Sequence, residues 1–128
     1  MSDGDIVVDA SVILALLQGE PFEASSELIV DAYISAVNLS EVLTKLRSGG
    51  ATDTDAIEGT KALGLRVIAF GEPHAEVAAK LSQFTRRAGL SFGDRACLAT
   101  AALLGATALT ADRAWAKLDI PTKVMLIR

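Results

Sequence analysis

The stretch Ile6-Val7-Val8-Asp9-Ala10-Ser11 decides the fold. Three β-branched apolar residues in succession suit a short strand buried on both faces. A carboxylate stands where that run ends, and Val12-Ile13-Leu14-Ala15-Leu16-Leu17 continues with helix-compatible residues. The stretch reads as strand, acid at the strand tip, then a helix packed back on the sheet. Ligands of open α/β sheets collect at the carboxyl ends of the strands, so Asp9 is the first candidate for chemistry. No capping role is evident for it, because Ser11 suits that role better, and an unpaired buried carboxylate is costly.

The same alternation recurs outward from this stretch. Tyr33 to Val37, Arg66 to Phe70, Thr107 to Leu109 and Lys123 to Ile127 read as further strands. After the break Gln18-Gly19-Glu20-Pro21, Phe22 to Leu28 reads as a short helix. Asn38 caps a helix over Leu39 to Arg47, with Glu41 at capping-box spacing and Leu39, Val42, Leu43 and Leu46 on one face. Thr52 caps a helix running to about Leu63, closed by Gly64. Pro73 opens another, striped by Val77, Ala78, Leu81 and Phe84. Ser91 and Asp94 have capping-box spacing before Ala96 to Leu104, which is apolar nearly all round and therefore central. Thr110-Ala111-Asp112 starts a short helix through Trp115. Strands without strict in–out alternation, interleaved with helices, predict a single α/β domain over residues 1–128: a mainly parallel sheet of about five strands with helices on both faces.

Composition fits that domain. Of 128 residues, 51% are apolar and 22% charged, enough for a real core and unlike a disordered chain. The net charge of −4 argues weakly against a general nucleic-acid binder. One cysteine, Cys97, excludes an internal disulfide and reads as a small core residue. The acidic start Met1-Ser2-Asp3-Gly4-Asp5 is unlike a signal peptide, and no apolar run has the length of a membrane span, so a cytoplasmic protein without membrane association is the expectation.

Four acids stand out by place. Asp9 and Asp112 follow strands; Glu41 and Asp94 open helices. In a parallel sheet these positions share one rim, so the acids converge there. Each also has a plain structural reading: Glu41 and Asp94 as third residues of capping boxes, Asp112 as a cap. Carboxylates gathered at one rim repel each other and raise their pKa values, and a hard divalent cation resolves this. Magnesium and manganese take oxygen ligands, whereas one histidine and one cysteine in unrelated elements make no zinc set. An all-acid site of this kind suits phosphodiester hydrolysis. Ser11 and Thr110 stand beside two of the acids, where their hydroxyls orient a carboxylate or a water, or cap helices. Setting the four acids aside leaves twelve, balancing twelve lysines and arginines. Arg95 and Arg113, each following a rim acid, with Lys45 and Arg47, are candidates for phosphate contacts or for solvated helix faces.

Val7-Val8-Asp9-Ala10-Ser11, Asn38-Leu39-Ser40-Glu41-Val42, Leu90-Ser91-Phe92-Gly93-Asp94-Arg95 and Leu109-Thr110-Ala111-Asp112-Arg113-Ala114-Trp115 resemble, in order, the four signature segments of PIN-domain ribonucleases, closest to VapC-type toxins of type II toxin–antitoxin pairs. The resemblance implies a three-layer α/β/α fold and Mg2+- or Mn2+-dependent endoribonuclease activity. It implies Asp9, Glu41, Asp94 and Asp112 as the acidic, metal-binding quartet, with Thr110 and Ser11 as the hydroxyl residues beside it. It makes Trp115 a packing residue. It implies an RNA substrate, a cognate antitoxin and a homodimer that forms a heterotetramer or larger assembly with that antitoxin. Two other readings compete. An aspartyl phosphatase would need a second Asp where Ser11 stands, and an inactive PIN-like scaffold could keep the acids as helix caps.

Overall fold

The computed structural model describes residues 4–20, 26–86 and 88–128. Five short strands form one sheet: β1 (Ile6–Val8), β2 (Tyr33–Ser35), β3 (Arg66–Ile68), β4 (Thr107–Thr110) and β5 (Val124–Leu126). Their spatial order is β3-β2-β1-β4-β5, and all four pairings are parallel. The helices are α1 (Ala10–Leu17), α2 (Ala36–Ser48), α3 (Asp53–Lys61), α4 (Glu72–Thr85) and α5 (Phe92–Leu104), with 3-10 turns at Ser26–Ile29 and Arg113–Lys117.

The strand period of two builds the layers. Ile6 and Val8 of β1 enter one core with Val12 and Ile13 of α1, Ile34 of β2 and Val42 of α2. Val7 enters the other, with Ala78 and Leu81 of α4, Cys97 to Ala99 and Ala101 of α5, Ala108 of β4 and Trp115. The result is the expected α/β/α sandwich. From β1 the chain steps outward to β2 and β3, then returns through α4 and α5 to lay β4 on the other side of β1. The winding therefore reverses between β1 and β4, where open sheets bind ligands.

Helix α5 is as central as its composition predicts, with Gly93 and every residue from Ala96 to Ala101 buried. It ends at Gly105, whose φ of +66° a side chain would strain. Several boundaries differ from the sequence reading. β2 stops at Ser35, whose hydroxyl accepts from Val37 N, so α2 begins at Ala36 and Asn38 lies inside the helix instead of capping it. Phe84 is 52% exposed. Thr85 is buried in its place, donating back to the Leu81 carbonyl. The short helix through Trp115 is present as a 3-10 turn, Arg113–Lys117. The helix expected over Phe22 to Leu28 falls largely on residues 21–25, outside the described residues; Ser26–Ile29 is a 3-10 turn. Among the described residues no helix is long and apolar enough to cross a membrane.

Candidate active site

Asp9 lies at the reversal point itself. Its backbone N–H donates to the Leu109 carbonyl of β4 at 3.1 Å, and its side chain is 4% exposed. The carboxylate is nevertheless well partnered. Oδ1 accepts from Ser11 Oγ at 2.6 Å and Val12 N at 3.3 Å, and Oδ2 accepts from Thr110 Oγ1 at 2.8 Å. Asp9, not Ser11, therefore caps α1, correcting the sequence reading. Ser11 Oγ in turn accepts from Ala111 N, and Thr110 Oγ1 from Asp112 N, each at 3.0 Å. Each hydroxyl takes a backbone proton and gives its own to Asp9, which ties β1, α1 and β4 into one unit. Burial pushes the Asp9 carboxyl up to about 6, against the lowering effect of the bonds from Ser11, Thr110 and Val12. The nearby Asp94 charge adds a smaller upward push. Repulsion between acids thus contributes less than expected from the sequence, and desolvation dominates.

Asp94 comes from the opposite helical layer, in the first turn of α5. The capping box read from the sequence is present: Oδ2 accepts from Ser91 N at 2.9 Å, and Ser91 Oγ accepts from Asp94 N at 3.2 Å. Its Oδ1 accepts no hydrogen bond among the described residues.

Glu41 does not complete a capping box, because α2 starts five residues before it. It is held by Asn38, one turn back. Asn38 Nδ2 donates to Glu41 Oε1 at 2.8 Å and to the Gly93 carbonyl at 2.9 Å, so one buried amide joins α2 to α5 across the rim. Both amide hydrogens are spent on these bonds, and Oδ1 is buried with no partner among the described residues. A Cβ at Gly93 would collide with the Glu41 carboxylate, only 2.6 Å from its Cδ. Asn38 and Gly93 are site residues the sequence reading missed. The signal for Gly93 was a glycine inside the first turn of a helix, where propensity disfavours it.

Asp112 is the outlying acid: exposed, and capping the 3-10 turn through a 2.9 Å bond from Ala114 N to Oδ1. The charges of Asp9, Asp94 and Glu41 all bear on the buried Cys97 thiol. Burial first, and those charges next, push this thiol well above its ordinary value, which keeps it protonated and inert.

The basic candidates divide. Arg95 packs its guanidinium over the Phe92 ring at 5.8 Å and donates to the Ala78 carbonyl at 3.1 Å. Arg113 is exposed beside Asp112. Lys45 lies one turn beyond Glu41 on the solvent side of α2. Arg47, in the last turn of α2, pairs with Asp53 at 3.5 Å on the exposed surface.

Among the described residues no three His, Cys, Asp or Glu side chains are drawn together into a ready-made metal cage. Mg2+ needs no such cage: it keeps several waters and is held by one or two carboxylates. The donors present fit it. All are oxygens. Asp9 Oδ2 accepts one bond and keeps a lone pair, while Asp94 Oδ1 and Glu41 Oε2 accept none among the described residues. The N-termini of α1, α2 and α5 all meet this rim and stabilise negative charge there.

Comparison with known proteins agrees with this geometry. No curated protein matches the chain. Solved structures share its fold at low identity. A chain of DNA-bound VapBC from Salmonella typhimurium superposes with a TM-score of 0.73 at 13% identity, covering 97% of this chain and 98% of that one. A chain of VapBC2 from Rickettsia felis, bound to a promoter DNA fragment, gives 0.75 at 13% identity, covering 94% and 97%. A chain of FitAcB from Neisseria gonorrhoeae gives 0.65 at 20% identity, covering 94% and 96%. Residues 6–121 match the PIN domain family, which spans all four acids, and the chain belongs to that family, whose members are generally nuclease-like.

Proposed function

We propose that this protein is a metal-dependent endoribonuclease and the toxin of a toxin–antitoxin pair. The observation that carries the reading is the buried Asp9 carboxylate, fixed by two hydroxyls where the strand order reverses, with Asp94 and Glu41 presenting unengaged oxygens from two other elements. Asp9 and Asp94 are the proposed metal ligands, with Glu41 and Asp112 binding directly or through water. When bound, Mg2+ or Mn2+ would lower the pKa of a water and stabilise charge on the phosphate. The chain's own part is positional. Ser11 and Thr110 hold Asp9 in one orientation and supply both of its hydroxyl donors. The Ser91–Asp94 box aims Asp94, and Asn38 aims Glu41. RNA is the proposed substrate, with Arg95, Arg113, Lys45 and Arg47 as candidate phosphate contacts. The similarity to chains of VapBC and FitAcB supports a cognate antitoxin as partner; a homodimer, and a heterotetramer or larger complex with that antitoxin, belong to the same proposal. A cytoplasmic location completes the proposal.

One observation favours a second reading. Asp9, Asp94 and Asp112 each cap a helix or turn, a role an inactive PIN-like scaffold would also keep. Cleavage separates the two. Purified, antitoxin-free protein, incubated with total cellular RNA and Mg2+ or Mn2+, is expected to yield discrete fragments mappable by end sequencing. Chelator, Asp9→Asn or Asp94→Asn should each abolish them. Folded protein that cuts no RNA with either metal would place the scaffold reading ahead.

A further inference from the structure

Next to the acids lies an aromatic group that the catalytic reading does not use. Phe92 is the first residue of α5, two before Asp94, and it is 50% exposed. Two residues along a helix keep its backbone within one turn, roughly 5 Å, of the acid. Phe70, just past the end of β3 on the same rim, meets it edge to face at a centroid distance of 5.4 Å. His74 also packs on Phe70, with ring centroids 5.8 Å apart. Leaving a large aromatic half in water at a helix start has no packing advantage: Ala96, on the same helix face one turn on, is fully buried.

An arginine packs on this group. The Arg95 guanidinium stacks over the Phe92 ring and spends one of its five N–H donors on the Ala78 carbonyl. Arg95 also lines a cleft with Ser82, Thr85, Arg86 and Leu90. The Ser82 and Thr85 hydroxyls already donate to the Ala79 and Leu81 carbonyls, which leaves the guanidiniums of Arg95 and Arg86 as the cleft's side-chain donors among the described residues. An exposed ring backed by a second ring, contacted by an arginine that leads into a two-arginine cleft and adjoining a carboxylate rim, matches the chemistry of an unpaired nucleobase with its phosphate. An acidic peptide would use the arginines and leave the ring idle; a purely apolar partner would leave the arginines unpaired.

We propose that Phe92, backed by Phe70 and contacted by Arg95, is a stacking subsite for one unpaired base of single-stranded RNA beside the acidic rim, with the cleft that Arg95 shares with Arg86 taking its phosphate. The proposal rests on the nuclease reading for its substrate. The base lies on the exposed part of the Phe92 ring, and its phosphate is met by the guanidiniums. Such a subsite selects single strands over duplexes, because a paired base cannot reach the ring.

Binding of a labelled oligouridylate, and of an abasic oligonucleotide of equal length, tests it in the Asp9→Asn background with Mg2+ present. Phe92→Leu should weaken oligouridylate binding roughly five- to hundredfold, the range for loss of one stacked base. Phe92→Trp should preserve binding, and its added fluorescence should be quenched by the bases. The abasic strand should bind both variants alike. Equal oligouridylate affinity of Phe92→Leu and its parent would overturn the subsite, as would an equal loss for the abasic strand. Cutting by the Asp9-containing protein is scored separately. Cutting without a Phe92 effect removes only the subsite, whereas base-dependent binding without cutting removes only the nuclease.

Discussion

At the residue scale, Asp9 carries two roles whose energetics oppose each other. Its carboxyl sits near 6 when folded and near 3.8 when unfolded. Between these values the folded chain holds a proton that the unfolded chain has lost, so stability falls as pH rises from about 4 to about 6. That difference corresponds to about 3 kcal/mol at most. In chelator, urea unfolding should show this loss over that window, and Asp9→Asn should flatten it and raise stability at pH 7.5 while abolishing cleavage. A carboxylate that costs stability at neutral pH is the pattern of a site kept for function. Glu41 makes the complementary case. Gly93→Ala should displace it, lowering stability by about 1–3 kcal/mol and reducing activity. Glu41→Ala in the same chain should restore most of that stability, measured as a double-mutant cycle. Asn38→Ala removes the buried amide's bonds to the Glu41 carboxylate and to the Gly93 carbonyl and should cost about 1–3 kcal/mol. Asp9 was legible because a charge ending a β-branched run has few benign explanations. Asn38 was not, because an Asn ahead of a Glu reads as a cap until the helix start is known.

At the element scale, the sequence marked every strand and helix that the described residues contain, and failed mainly at edges. Ser35 and Asn38 are both good caps three residues apart, and local preference does not rank them. The choice falls to Ser35 because Asn38 is needed inside the helix, bridging α2 to α5. Phe84 was misread for a related reason: a stripe at helical spacing marks a face but not where the neighbouring layer ends. The Ser91–Asp94 box was read correctly, since both of its bonds are local. Ser91→Ala should cost about 1 kcal/mol of stability. It should also release Asp94, so that half-maximal activity requires more Mg2+. A metal titration of cleavage checks the second effect, which an ordinary cap would not produce.

At the scale of the whole molecule, the site follows from topology. A sheet wound outward from β1 and resumed beside it as β4 leaves one gap at its carboxyl edge, and Asp9 and Thr110 bond across that gap. Asp94 and Glu41 arrive from opposite helical layers, and the Asn38 amide joins their two helices by bonding Glu41 and the Gly93 carbonyl. This convergence was legible only as a consequence of parallel strands; the clamp of hydroxyls around Asp9 was not, since residues 9 and 110 meet only when folded. The central claim is that this rim binds a divalent cation and is more than a set of helix caps. Calorimetric titration of Mn2+ into the protein at pH 7.5, beside Asp9→Asn of unchanged fold, tests it most directly. The account predicts saturable binding that Asp9→Asn removes. Equal heats from the two proteins, or no binding to either, would contradict it.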